Sequence, residues 1–216
     1  MLFAAYGPSV HTGLPMSPAI FLALMVATAK APPWTAAIYP ETLTIEATRL
    51  QSHTDIARRD GAVLTILDHG RTLRRFKSRT SACQNRNCPA WLFQGAVDIG
   101  GQKLAVVRQE TGHGGHDAIV RADGSLLWTE GFPVASPDGR WLAVSGDVTD
   151  EMEDVASHEY LQLFAWRVPS NPIVFHRSCI VRRWISSTQV TVYCLGSDHD
   201  DTLSQHAKGR WRMTAP

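Results

Sequence analysis

The residues best able to do chemistry gather in three places. Gly112-His113-Gly114-Gly115-His116-Asp117 sets two imidazoles three residues apart beside a carboxylate. Imidazole and carboxylate ligate zinc, copper or nickel, and flanking glycines let a loop wrap an ion. His113, His116 and Asp117 are therefore the candidate metal ligands, and a further ligand would have to come from elsewhere, such as Glu110. Ser197-Asp198-His199-Asp200-Asp201, followed by His206, offers oxygens to a hard cation but lacks the spacing of a calcium loop. The acidic run 147–154 has the same ambiguity. Each segment also reads as a polar loop between strands.

The third place is basic. Arg71, Arg74, Arg75, Lys77, Arg79 and Arg86 follow one another with no acid between Asp68 and Asp98, and Trp91 and Phe93 lie just beyond. Such a run can hold an anionic ligand or an acidic partner protein, or it can be a solvated strand face and loop. Catalytic signatures are missing from the sequence. There is no Gly-x-Ser-x-Gly elbow and no phosphate-binding glycine loop. His158-Glu159-Tyr160-Leu161-Gln162 begins like a zinc-protease helix, but Gln162 stands where the second His is needed. A divalent metal at His113 and His116 is the one cofactor these residues suggest; otherwise none is expected.

The elements that must carry these groups read as strands. Asp60-Gly61 lies between the strand-like runs of 56–67, Asp68-His69-Gly70 turns into 71–76, and Asp123-Gly124 separates the apolar runs of 118–128. Asp-Gly between apolar runs is a strong hairpin signal. The alternating run 160–166 predicts a strand that ends at a turn over Pro169-Ser170-Asn171-Pro172. Trp128, Trp141, Trp166 and Trp184 fall at strand positions and read as core. After residue 45 no segment keeps a helical period with caps.

Val97-Asp98-Ile99-Gly100-Gly101-Gln102-Lys103-Leu104-Ala105-Val106-Val107 aligns with Ala135-Ser136-Pro137-Asp138-Gly139-Arg140-Trp141-Leu142-Ala143-Val144. Each is a turn followed by Leu-Ala-Val, then a polar loop and a hairpin, and 187–192 opens a further copy. All-strand repeats about 40 to 50 residues long are the mark of propeller blades. The stretch Ser136-Pro137-Asp138-Gly139-Arg140-Trp141-Leu142-Ala143-Val144 resembles the turn-and-strand motif of TolB-type β-propeller repeats, clearly over 131–147 and weakly elsewhere. That resemblance implies a structural turn and a protein that binds other macromolecules. The predicted fold class is all-β, a small or incomplete propeller-like array of antiparallel hairpins, with a β-sandwich as the alternative.

The chain has 216 residues, 44% apolar and 19% charged, enough for one domain with a sizeable core. A net charge of +1 gives no bias toward nucleic acid. The apolar run 19–27, then Thr28-Ala29-Lys30, resembles a signal peptide cut near Ala29/Lys30, although no Lys or Arg precedes Lys30. Anchoring by an amphipathic N-terminal helix is the alternative. Domains are therefore expected as a signal peptide over 1–29, a linker over 30–42 and an all-β domain over 43–216, with no transmembrane span left after cleavage. In an exported chain Cys83, Cys88, Cys179 and Cys194 read as disulfides. A two-residue Ser186-Ser187 loop would place Cys179 directly opposite Cys194, with Val181, Val190 and Val192 on the same face. Cys83 and Cys88 would then close a small loop.

The expected role is a non-enzymatic interaction module of the bacterial periplasm or envelope, or a secreted one. Its partner would be another envelope protein or an anionic ligand, and not nucleic acid. A metal-dependent hydrolase using His113 and His116, and a periplasmic inhibitor or immunity-like protein, are the alternatives.

Overall fold

The computed structural model describes residues 40–78, 90–111, 114–145 and 161–214. They form helix α1 (Pro40–Ser52) and four antiparallel sheets. The first sheet is β1 (Ala57–Asp60), β2 (Val63–Asp68) and β3 (Arg71–Lys77). The second is β4 (Ala90–Ile99), β5 (Gln102–Thr111), β6 (Gly114–Val120) and β7 (Leu126–Thr129). The third is β8 (Pro133–Ala135), β9 (Trp141–Ser145), β10 (Leu161–Ala165) and β11 (Val168–Phe175). The fourth is β12 (Cys179–Ser186), β13 (Gln189–Cys194), β14 (Asp200–Gln205) and β15 (Trp211–Thr214). Every sheet runs up and down in chain order, so the all-β expectation holds. The aligned segments around 97–107, 135–144 and 187–192 occupy the same place, the first hairpin of their own sheet.

Strand alternation explains how the sheets are joined. Along β5, Leu104 and Val106 enter a core with Leu142, Val144 and Phe164 of the third sheet. Ala105 and Val107 face the other way, into a core with Leu64, Ile66 and Phe76 of the first. β9 repeats the device, because Ala143 packs with Val190, Val192 and Leu203 of the fourth sheet. The two middle sheets are thus buried on both faces, which is why their strands are nearly continuous apolar runs. Each large side chain so buried stabilises the fold by about 1.5–3 kcal/mol. The indole Nε1–H of Trp184 donates to Val134 O at 2.9 Å, adding a polar tie between the third and fourth sheets.

Three expectations need correction. Helix α1 crosses the anticipated boundary at residue 42 and is a helix where only linker and strands were expected. Pro40 suits a first helical turn, but the buried stripe runs through Glu46, so no apolar period shows. The turn after β10 is Trp166-Arg167, and Pro169-Ser170-Asn171-Pro172 lies inside β11. β11 is an edge strand with an irregular register between Leu163 and Ala165, and an edge position tolerates proline. The loop after β12 is Ser187-Thr188, since Ser186 pairs with Gln189. Two bulges in β12 restore the register, so Cys179 still lies opposite Cys194.

The Cys179–Cys194 disulfide is present, buried within the core of the third and fourth sheets. Cys83 and Cys88 lie outside the described residues. The bridge joins positions 15 apart, and a loop of that size corresponds to about 3 kcal/mol. Replacing both Cys179 and Cys194 with alanine is expected to lower the unfolding free energy by that amount in a urea titration. A cost under about 1 kcal/mol would show that the bridge is no constraint.

The turn Ser136-Pro137-Asp138-Gly139 is held by its own side chains. Ser136 Oγ–H donates to Asp138 Oδ1 at 2.8 Å, and Ser136 Oγ accepts from the Trp141 N–H at 3.0 Å. Burial pulls the Asp138 carboxyl upward, but hydrogen bonds from Ser136, the Arg140 N–H and the Arg140 guanidinium outweigh it and hold the group at about 2. A folded value below the ordinary 3.8 means stability that is present above about pH 4 and lost as pH falls toward 2. Asp138→Asn should flatten that part of the acid limb. Urea midpoints of wild type and variant should converge between pH 4 and 2, and parallel curves would refute the assignment.

Candidate functional site

A cleft of about 470 Å³ is lined by residues of the second and third sheets. From the second sheet and the turn after it come Gln109, His116, Trp128, Thr129 and Glu130. From the third come Gln162, Phe164 and Pro172. Local structure presents each group. Gln109 pairs directly with His116 across β5 and β6, so both side chains stand on one face. The buried Thr129 hydroxyl donates to Gly131 O at 2.8 Å and fixes the turn that carries Glu130. Trp128 lies on the edge strand β7 and stays 45% exposed. Its ring is backed by Trp91 at 5.9 Å, which packs on Phe76 at 4.5 Å.

The polar ends in this cleft are only lightly engaged among the described residues. Neither carboxamide, Gln109 nor Gln162, has a hydrogen-bond partner among the described residues. His116 Nδ1 lies 3.9 Å from Glu130 Oε2, with both side chains well exposed. An exposed pair at that distance contributes little and leaves both groups able to serve a ligand.

The anticipated metal ligands are not brought together among the described residues. Asp117 is adjacent to His116 along β6 and faces the opposite side. It is 3% exposed, with Oδ2 3.8 Å from Arg108 Nη1. Arg108 also bonds Glu110 through Nε at 2.9 Å, so the suggested extra ligand is held by a guanidinium. His113 lies outside the described residues. Among the described residues no group of three or more His, Cys, Asp or Glu could hold a metal ion. In the 197–201 turn, His199 Nδ1 meets Asp198 Oδ1 at 2.7 Å and Nε2 meets Asp201 Oδ1 at 3.5 Å. The hydrogen bond from His199 lowers the Asp198 carboxyl. The run 147–154 lies outside the described residues.

The basic run divides. Arg74 is partly buried, its guanidinium bonded to Gly124 O and set 5.1 Å over the Phe76 ring, so it fastens β3 to the turn after β6. Arg75 and Lys77 are exposed on the other face of the first sheet. Arg58 joins them there, because Thr65 pairs with both Arg58 and Arg75. Arg71 is exposed beside the His69-Gly70 turn, and Arg79 and Arg86 lie outside the described residues.

No protein family, curated protein or solved structure matches this chain. Among the described residues no helix is long and apolar enough to cross a membrane. From sequence, Gln109 and Glu130 are not singled out, Gln162 reads only as the residue that breaks a zinc-protease pattern, Pro172 as part of a turn, and Trp128 as core. Gln109 and Gln162 come from different sheets, so no local spacing joins them. The pairing of Gln109 with His116 was the one available signal, and it depends on a β5–β6 hairpin turning beside Gly114.

Proposed function

We propose that the chain is an exported, non-enzymatic binding module of the bacterial periplasm or envelope, built as a small propeller-like array. The observation that carries the binding role is the cleft lined by the second and third sheets, where Gln109, Gln162 and Glu130 share the lining with a half-exposed tryptophan. The propeller-like arrangement is supported by the succession of up-and-down sheets, each sharing a core with the next. The first strands β4, β8 and β12 also touch in sequence, as inner strands of blades do. Export is supported by the leader-like N-terminus and a buried disulfide.

Fractionation of cells carrying the full chain, with intact mass of the recovered protein, tests location. The expected product begins near Lys30 outside the cytoplasm, and an uncut cytoplasmic chain would overturn export. Capture from envelope extract by wild type and by Trp128→Ala tests the role. A component retained by wild type and lost by the variant supports it, and identical capture by both overturns it.

A further inference from the structure

We infer that this cleft binds a neutral saccharide, with Trp128 as the stacking surface and Gln109, Gln162 and Glu130 as the hydroxyl-reading groups. The inference rests on the reading of the protein as a binding module and names its ligand class. Sugar hydroxyls are donors and acceptors at once, closely spaced around a ring. A carboxamide supplies both roles from one side chain, and a carboxylate accepts from two neighbouring hydroxyls. Among the described residues the cleft holds two such carboxamides and one carboxylate, and neither carboxamide has a partner among them. Among the described residues the two carboxamides are left with bonding capacity that the fold does not use.

The apolar side of the cleft fits the same ligand. A pyranose with equatorial substituents exposes a flat C–H face, which packs on an indole. Trp128 offers such a face, and Trp91 behind it limits ring movement. Phe164 and Pro172 add apolar wall from the third sheet. Charge separates this ligand from the anions that the basic run could attract. Among the described residues no Arg or Lys lines the cleft, and the Glu130 carboxylate would repel a phosphate or uronate. A volume of about 470 Å³ suits a mono- or disaccharide, within the usual span of roughly 300–1,000 Å³ for small-ligand sites.

The test uses the full mature chain with cellobiose and N,N′-diacetylchitobiose, followed by calorimetric titration and saturation-transfer NMR. Saturable binding of at least one disaccharide is expected. Trp128→Ala and Gln162→Ala should each weaken it at least tenfold, with unchanged thermal midpoints because both side chains are partly exposed. Trp128→Phe should retain part of the affinity. Absence of saturable binding to both sugars overturns the inference, as does binding that survives in both alanine variants. If neither sugar binds while Trp128→Ala still abolishes capture from envelope extract, the saccharide class is refuted and the binding module stands.

Discussion

Glu46→Ala is expected to cost about 3–5 kcal/mol, the range for removing one partner of a buried ion pair. Glu46 is 3% exposed on helix α1 and works on two sheets at once. Its Oε2 accepts from Arg59 Nε at 2.9 Å, and its Oε1 accepts from Arg59 Nη2 and from the Phe93 N–H at 2.7 Å. Arg59 Nη2 also donates to Trp91 O at 2.6 Å. One carboxylate therefore joins the helix to β1 and to β4. Alanine would leave the guanidinium charged in a site only 12% open and take the acceptor from a backbone N–H of β4. Around this contact the helix has only modest apolar support, chiefly Leu43 on Ala90 and Leu92, and Leu50 against the first core. The measurement is a urea titration of wild type, Glu46→Ala and the double variant Glu46→Met, Arg59→Met. The double variant should recover much of the loss, since two apolar side chains leave no stranded charge. A single-variant cost under about 1 kcal/mol would show that the pair is not what docks the helix.

Glu46 also shows where sequence reading stops. The hairpins were legible because their signals are local. Asp60-Gly61, His69-Gly70 and Asp123-Gly124 are short turns whose residues accept the backbone the turn requires, with Gly61, Gly70 and Gly124 at φ of 50°, 77° and 78°. The repeat was legible for the same reason, since it consists of a turn and the strand after it. Helix α1 was not, because its inward position is an acid made tolerable by an arginine in β1. The cleft was not, because its walls come from two sheets and its polar groups have no fixed spacing along the chain. The cysteine pairing lies between these cases. Its register was inferred from a loop one residue away from the real one, and two bulges in β12 supplied the difference. Propensity marks strands and turns, whereas bulges answer to packing on both sides of a sheet.

Gly139→Ala is expected to cost about 2–5 kcal/mol, the sum of two separable effects. Gly139 has φ +66°, a left-handed conformation that costs an L residue roughly 1–2 kcal/mol. An added Cβ would also lie 2.3 Å from Gly100 N and 2.9 Å from Gly100 Cα. Those atoms are backbone of the β4–β5 turn, so no side chain can swing aside, and overpacking of this kind adds about 1–3 kcal/mol. Gly61→Ala separates the effects, because Gly61 has φ +50° and nothing within 4 Å of its added Cβ. Urea titrations should therefore place Gly61→Ala about 1–2 kcal/mol below wild type and Gly139→Ala about 1–3 kcal/mol lower still. Equal costs would mean that the two turns do not bear on each other. The contact matters beyond stability because β4–β5 and β8–β9 are the first hairpins of the two sheets that wall the cleft. Pushing the turns apart would move Gln162 and Phe164 relative to Trp128. Gly139→Ala should then weaken cellobiose or diacetylchitobiose binding although it lies outside the cleft, and Gly61→Ala should leave that binding unchanged.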